Sequence, residues 1–145
     1  GPAYLHNRKP PICHGDLKSL NILVSSSYRA IITDFGSATR IQVGASGNQL
    51  TLTGPSWSLR WAPPEVVNGA TTSFSSDIWS AGWVYSEIMK NQVPFPELNS
   101  AGAITLTVIQ GKVPSTREDA QLSQITGLCS LMTDCWAFDP RTRPS

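Results

Sequence analysis

The chain has 145 residues, of which 40% are hydrophobic and 14% are charged, and its formal net charge is +1. This length suits one domain with a sizeable core, and the near-neutral charge argues against a disordered chain and against a nucleic-acid partner. No apolar run approaches the ~20 residues of a membrane-spanning helix, and the first residues do not form a signal-peptide pattern.

The three cysteines, Cys13, Cys129 and Cys135, lack the spacing of metal ligands. Free thiols in a reducing compartment are the simplest interpretation, so we expect an intracellular, cytoplasmic protein.

The start of the chain has the composition of a helix end. Tyr4, Leu5 and His6 are followed by basic residues and then by Pro10 and Pro11, which stop a helix. The first two residues, Gly-Pro, are also compatible with the remnant of a cloning site.

Three oxygen-bearing side chains follow: Asp16, Asn21 and Asp34. Carboxylate and amide oxygens accept protons and are the ligands that Mg²⁺ needs in phosphate chemistry. Two apolar runs, 22–24 and 30–33, lie between Asn21 and Asp34 and are separated by serines, which predicts a hairpin of two short strands. Such a hairpin would bring Asn21 and Asp34 to one end of a small sheet, close enough to share an ion.

Residues 37–59 are polar, contain three glycines and show no hydrophobic periodicity. A long segment of this kind in a compact domain is usually functional or mobile. Its candidate phosphorylation positions are Thr51, Thr53, Ser56 and Ser58. For any one of them, an ordinary loop hydroxyl is at least as good an interpretation.

The strongest predicted helix covers residues 75–90. Ser75 or Ser76 would cap its start, and Asp77 suits the positive end of the helix dipole. Apolar residues surround most of its circumference, so we expect a buried helix. These residues are Ile78, Trp79, Val84, Tyr85, Ile88 and Met89.

Two further helices are predicted nearer the C-terminal end. Residues 101–110 are apolar, with Gly111 as a stop, and residues 122–136 place apolar side chains on one face.

The motifs within these elements resemble those of the eukaryotic protein kinase family. His14-Gly15-Asp16 with Asn21 resembles the catalytic loop, in which His-Arg-Asp is followed by four residues and Asn, and residues 34–36 resemble the Asp-Phe-Gly metal-binding turn. Gly15 replaces the usual Arg. Since that Arg pairs with a phosphorylated residue in the family, we expect phosphatase treatment to change activity little, unless another cation such as Arg40 substitutes.

Three later motifs follow in the family's order. Residues 60–67 resemble the Ala-Pro-Glu region with Pro63 in place of Ala, residues 77–82 resemble Asp-x-Trp-Ser-x-Gly, and residues 135–145 resemble the Cys-Trp, Asp-Pro and Arg pattern. The resemblance implies that the Asp of the second motif bonds to the backbone of the catalytic loop.

The resemblance also implies that Glu65 pairs with Arg143. Two surface charges are the alternative interpretation, but the apolar residues around both positions favour burial.

This resemblance implies a mainly α fold with a small β hairpin, the C-terminal lobe of a protein kinase. Residues 1–145 would then be a kinase-domain fragment, with the N-terminal lobe expected before Gly1 and a final helix expected after Ser145. The chain contains no glycine-rich phosphate loop, strand Lys or partner Glu, so we expect the 145-residue chain alone to be inactive.

The implied function is ATP-dependent phosphoryl transfer to Ser or Thr hydroxyls of a protein substrate, with ATP and Mg²⁺ as cofactors. Asp16 would orient the hydroxyl and accept its proton, and Lys18 would stabilise charge on the phosphoryl group, although alone Lys18 would be interpreted as a solvated surface residue. Asn21 and Asp34 would hold Mg²⁺, and Leu23 would line the floor of the adenine pocket.

The loop around Lys18 resembles Ser/Thr and tyrosine-kinase-like enzymes more than true tyrosine kinases, and Trp61 favours the tyrosine-kinase-like branch. Two alternatives remain: a pseudokinase that acts as an interaction module, and an inert truncated fragment. The intact set of Asp16, Lys18, Asn21 and Asp34 argues against a degenerate site.

Overall fold

The structure is a computed structural model that describes residues 1–40, 57–114 and 126–145. These residues are mainly helical, and their helices are α1 (Pro2–His6), α2 (Pro64–Val67), α3 (Phe74–Lys90), α4 (Ala101–Ile109) and α5 (Thr126–Cys135). Their strands are β1 (Ile12–Cys13), β2 (Ile22–Val24), β3 (Ala30–Ile32) and β4 (Thr39–Arg40). Short 3₁₀ turns cover Ser19–Asn21, Phe35–Ser37 and Pro140–Thr142. The predicted mainly α fold with a small β hairpin is confirmed.

The predicted hairpin is formed by β2 and β3, which pair antiparallel with Leu23 opposite Ile31. The chain reverses through the serines, where Tyr28 adopts a left-handed backbone conformation with φ 57°. The backbone N–H of Thr33 donates to the carbonyl of Asn21 at 2.8 Å, one step beyond the last strand pair. This bond brings the residue before Asp34 beside Asn21, as the sequence pattern predicts.

A second sheet was not predicted. β1 and β4 pair antiparallel, with Cys13 opposite Thr39. Each strand has only two residues, which is too short a run for a periodicity signal. The pairing joins the entry of the 14–21 loop to the exit of the 34–37 turn.

Helix α3 begins earlier than predicted. Its N-cap is Ser73, whose side chain accepts from the N–H of Ser76, and the Ser76 side chain in turn accepts from the N–H of Ser73. The prediction of Ser75 or Ser76 as the cap is therefore wrong, because both lie inside the first helical turn while Ser73 keeps an extended backbone.

Burial of α3 is confirmed for most of its length, with Trp79 and Trp83 exposed by 1% and 2%. Ile88 is an exception, because its side chain is 70% exposed near the helix end. The core forms where α3 packs on α5 and on the segment before α2. Its buried members are Trp61, Trp79, Trp83, Cys129, Met132 and Trp136.

The crossing of α3 and α5 depends on Gly82. A Cβ atom at this position would lie 2.7 Å from Trp136 Nε1 and 2.9 Å from Cys135 Cβ. Since real Cβ atoms do not approach other atoms this closely, glycine is what lets the two helices meet here.

None of the three cysteines forms a disulfide, so the predicted thiol state is confirmed, and all three side chains are buried. Burial raises the pKa of the Cys13 thiol to about 12 and that of Cys135 to about 11. Both therefore stay protonated at neutral pH and act as small apolar core residues.

The two later helices are confirmed within the described residues. α4 ends before Gly111, which has φ 66°, and its start is capped by Ser100. α5 is described from Thr126, so residues 122–125 of the predicted helix lie outside the described residues, as do the phosphorylation candidates Thr51, Thr53 and Ser56. Within the described parts of the chain, no helix is both long and apolar enough to span a membrane.

Candidate active site

The loop that carries Asp16 is held by the carboxylate of Asp77 on α3. Asp77 Oδ2 accepts from the backbone N–H of His14 at 2.8 Å, and Oδ1 accepts from that of Gly15 at 2.9 Å. His6 Nε2 donates to Oδ2 at 3.0 Å from the end of α1. Asp77 is only 1% exposed, so its charge is stabilised by these donors rather than by solvent. The sequence motif implies this bond between Asp77 and the loop backbone. Asp77 therefore anchors the loop in addition to lying at the positive end of the α3 dipole.

The ring of His14 links Asp16 to the strand that leads to Asp34. Nδ1 accepts from the backbone N–H of Asp16 at 3.3 Å, and Nε2 donates to the carbonyl of Thr33 at 3.0 Å. An imidazole with its proton on Nε2 satisfies both contacts. The side chain is fully buried. Sequence reasoning gave His14 no role, although its place at the head of the motif was a signal.

Asp16 and Lys18 form a contact with Ser58. Lys18 Nζ donates to Asp16 Oδ2 at 2.8 Å and to Ser58 Oγ at 2.7 Å, and the backbone N–H of Ser58 donates to Asp16 Oδ1 at 2.7 Å. The side chains of Lys18 and Asp16 are 19% and 12% exposed. Lys18 is therefore not a solvated surface residue. Ser58, one of the candidate phosphorylation positions, contacts both side chains, and its phosphorylation stays a prediction.

Asn21 and Asp34 each present an oxygen atom suited to a cation. The Asn21 amide nitrogen donates to the carbonyl of Asp16 at 2.9 Å, which leaves Oδ1 as the free acceptor of that amide within the described residues. Asp34 is exposed and has φ 60°, and its Oδ1 accepts only a long 3.4 Å bond from Gly36 N–H in the part of the chain that the structure describes. A carboxylate and an amide oxygen on adjoining backbone fit Mg²⁺, which takes one or two such groups and completes its shell with phosphate and water.

Leu23 lies on β2 and is not part of the polar network. Its side chain is 56% exposed, and the neighbouring Ile31 is 47% exposed. Exposed apolar side chains two positions after Asn21 fit the predicted floor of an adenine pocket, which would need an apolar surface.

Gly15 occupies a position that a larger residue fits poorly. Its φ is +79°, and a Cβ atom there would lie 2.8 Å from the carbonyl oxygen of Ser37. The absence of a side chain at Gly15 therefore has a structural role, because it lets the 34–37 turn pack directly against the 14–21 loop. The expectation about phosphatase treatment stays a prediction, since Thr51, Thr53 and Ser56 lie outside the described residues.

Replacing Gly15 by Ala is expected to lower the free energy of unfolding more than replacing Gly69 by Ala. Both glycines have positive φ, +79° and +97°, but a Cβ at Gly69 meets nothing within 4 Å. Gly69→Ala should cost about 1–2 kcal/mol for backbone strain alone. Gly15→Ala should cost roughly 1–3 kcal/mol more, because the Ser37 carbonyl must move. Urea denaturation of both variants measures the difference, and equal losses would contradict the close packing.

Glu87 is a site residue that sequence reasoning missed. It is 8% exposed, and its carboxylate accepts from Trp61 Nε1 at 2.7 Å and from Ser19 Oγ at 2.8 Å. It thus joins the 14–21 loop to the segment before α2. The sequence did carry a signal for Glu87, because it is a charged residue in a helix that is predicted to be buried on most of its surface. A buried charge needs hydrogen-bond partners.

The predicted pair of Glu65 and Arg143 is present. The two guanidinium nitrogens of Arg143 lie 2.5 and 2.9 Å from the Glu65 oxygens, and the Arg143 side chain is fully buried. Arg143 also donates to the carbonyls of Ala137 and Ser75 and lies 4.9 Å from the ring centre of Trp79. The interpretation as two surface charges is therefore wrong.

Comparison with known proteins gives one family and many relatives. The family model described as "Protein kinase domain" matches residues 1–145. Relatives include a probable serine/threonine-protein kinase, roco6, of Dictyostelium discoideum, which is 30% identical with 100% of this chain and 7% of that protein covered. Serine/threonine-protein kinase CTR1 of Arabidopsis thaliana is 31% identical, with 100% of this chain and 17% of that protein covered.

A third relative is receptor-interacting serine/threonine-protein kinase 2 of Bos taurus, which is 31% identical with 100% of this chain and 28% of that protein covered. The chain thus spans between 7% and 28% of the length of these three proteins.

Proposed function

The chain belongs to the protein kinase domain family, and we propose on this premise that the protein containing it transfers the γ-phosphoryl group of ATP to serine or threonine hydroxyls of a protein substrate. The observation that carries the proposal is the contact of Asp16 and Lys18, on the same loop as Asn21, with Ser58 of a later segment. The Lys18 ammonium lies within hydrogen-bond distance of both the Asp16 carboxylate and the Ser58 hydroxyl, and the Ser58 backbone N–H holds the other carboxylate oxygen. Such an arrangement suits the positioning of a nucleophile.

Asp16 is the group that orients the substrate hydroxyl and accepts its proton. Its two oxygens already accept from Lys18 and from the Ser58 N–H, and each oxygen has a further lone pair for a substrate hydroxyl. A carboxylate held in this way can accept the proton of a substrate hydroxyl placed beside it. Lys18 supplies the positive charge that the transferred phosphoryl group needs.

Asn21 and Asp34 are the residues that would hold Mg²⁺, through the oxygen atoms described above. When bound, the ion neutralises charge on the ATP phosphates. The carbonyl of Asn21 accepts from the Thr33 N–H, so the two ligand-bearing segments keep a fixed separation. Leu23 would contact the adenine base through its exposed apolar side chain.

The choice of serine and threonine hydroxyls is supported by the names of the three relatives described above, each of which is called a serine/threonine-protein kinase. Residues 1–145 would form the C-terminal lobe of the domain, with the catalytic loop and the metal-binding turn. A glycine-rich N-terminal lobe elsewhere in the intact protein would cover the phosphates.

A phosphorylation assay of the full-length protein tests this function. With radiolabelled ATP, Mg²⁺ and a general protein substrate such as casein, we expect label on serine and threonine at about 1 s⁻¹ or faster, the low end for kinases. Nucleotide binding without transfer would contradict the proposal and favour a pseudokinase that acts as an interaction module.

A further inference from the structure

We propose that Arg60 is a positioning residue, which ties residues 58–62 to the loop of residues 94–98 and so keeps Ser58 and Trp61 in place against the catalytic loop. This inference rests on the proposed function, because it concerns how the protein substrate is aligned. The name "clamp" is used below for the contact between the Arg60 guanidinium and residues 94–98.

The clamp consists of three hydrogen bonds to backbone carbonyls. Arg60 Nη1 donates to Pro94 O at 2.7 Å and to Phe95 O at 2.6 Å, and Nη2 donates to Leu98 O at 2.7 Å. In the described parts of the chain, Arg60 has no carboxylate partner, so its role is not that of an ion pair. A planar guanidinium with several N–H donors can satisfy three carbonyls at once, which a lysine ammonium does with poorer geometry.

The loop that Arg60 holds is itself fixed to the core. Pro94 is among the fully buried side chains. Phe95 has φ 53°, a conformation that non-glycine residues adopt only when surrounding contacts enforce it. Its ring packs edge-on against Trp83, with ring centres 4.9 Å apart. The clamp therefore attaches residues 58–62 to a rigid support.

On either side of Arg60, the same segment contacts functional groups. Two residues earlier, Ser58 donates its N–H to Asp16 and accepts from Lys18. One residue later, Trp61 Nε1 donates to the buried carboxylate of Glu87, which also accepts from the catalytic loop. Since Arg60 lies between these two contacts, losing the clamp should loosen both.

The test compares Arg60→Met, Arg60→Lys and a control, Arg141→Met, in the full-length protein. Arg60→Met keeps an unbranched apolar stem and removes every donor, while Arg60→Lys keeps the charge and loses the planar arrangement. Arg141 is 89% exposed and paired with Asp139, so its replacement removes one positive charge that is not part of the clamp. Amide hydrogen exchange is followed by mass spectrometry in residues 57–62, 94–98 and 77–84.

In Arg60→Met, the rate of amide exchange in residues 57–62 and 94–98 should rise about tenfold. This is the size expected when hydrogen bonds from a charged donor are lost. The exchange rate in residues 77–84 should stay unchanged. Arg60→Lys should show a smaller rise, and Arg141→Met none. In the phosphorylation assay, the KM for a peptide substrate should rise about tenfold in Arg60→Met, with the KM for ATP within about twofold of wild type.

Three results would overturn the proposal. The first is an unchanged exchange rate in residues 57–62 of Arg60→Met. The second is a rise in residues 77–84 as large as that in residues 57–62, because it would mark general destabilisation. The third is a raised exchange rate with an unchanged KM for the peptide substrate. Absence of phosphate transfer by the wild-type protein is a separate result. It would overturn the proposed function and with it the role of Arg60 in substrate alignment. The exchange data alone decide whether the clamp exists.

Discussion

Asp16→Asn should lower the rate of phosphoryl transfer by about 10²–10⁴-fold, the contribution typical of a positioned general base. The amide is nearly isosteric and can still accept from the Ser58 N–H, which donates to Asp16 Oδ1 at 2.7 Å. It cannot accept the proton of a substrate hydroxyl, so the loss should appear in kcat. The affinity for ATP should stay close to that of the wild type, because Asp16 is not a proposed metal ligand.

Asp34→Asn should act differently, although both changes remove one carboxylate charge. Asp34 is exposed, and among the described residues it accepts only a long hydrogen bond from Gly36 N–H, so its substitution should leave the fold intact. We expect weaker binding of Mg²⁺-ATP as well as slower transfer, since an amide is a poorer ligand for a hard cation.

Steady-state kinetics and calorimetric titration with Mg²⁺-ATP measure the effects of these two substitutions. Asp139→Asn is the matched control, because Asp139 contacts Arg141 near the C-terminal end and not the site. Full activity in Asp16→Asn would contradict the proposed base and favour a binding role.

The second large effect is expected at the pair of Glu65 and Arg143. Arg143→Met strands the Glu65 carboxylate and leaves the carbonyls of Ala137 and Ser75 without the guanidinium donors. Glu65→Gln leaves a fully buried guanidinium without its counter-charge. The charge stranded by Arg143→Met should cost less than the one stranded by Glu65→Gln, because the Glu65 side chain is 22% exposed and water can solvate it. Glu65→Gln should lower the free energy of unfolding by roughly 3–5 kcal/mol, as for other buried charges that lose their partner. This is a large share of the ~5–15 kcal/mol that stabilises a typical domain.

A double-mutant cycle on these two residues separates their interaction from the cost of each side chain. The surface pair of Asp139 and Arg141 provides a control cycle, since their side chains are 40% and 89% exposed and solvent screens their attraction. A strong coupling is expected for the first pair and a weak one for the second. Equal couplings would show that burial does not strengthen the tie between Glu65 and Arg143.

Local patterns predicted the hairpin and the long helix because each depends on neighbours in the sequence. The apolar runs beside Asn21 set the strands, and the turn residues between them set the reversal. The same reasoning failed at the start of α3, where three serines offer equivalent caps and only the extended backbone of Ser73 decides among them. It failed also at Ile88, whose exposure depends on which elements lie beside that face.

Contacts between distant residues were predicted only where a family motif supplied both partners. The pair of Glu65 and Arg143 was anticipated in this way, although 78 residues separate them. The contacts of Glu87 and Arg60 had no such guide. A buried carboxylate or a guanidinium does not disclose from its sequence position which N–H or carbonyl groups will surround it, because tertiary packing determines them.

The anchoring of the catalytic loop by Asp77 has a consequence for folding. The loop has no helix or strand of its own around Gly15, and the carboxylate that fixes His14 and Gly15 lies 63 and 62 residues later in the chain. Bringing residues so far apart in the sequence together lowers the conformational entropy of the chain before any contact can stabilise the closed state. During synthesis from the N-terminal end, the loop therefore leaves the ribosome before its anchor does. Its final geometry cannot form before Asp77 has been synthesised.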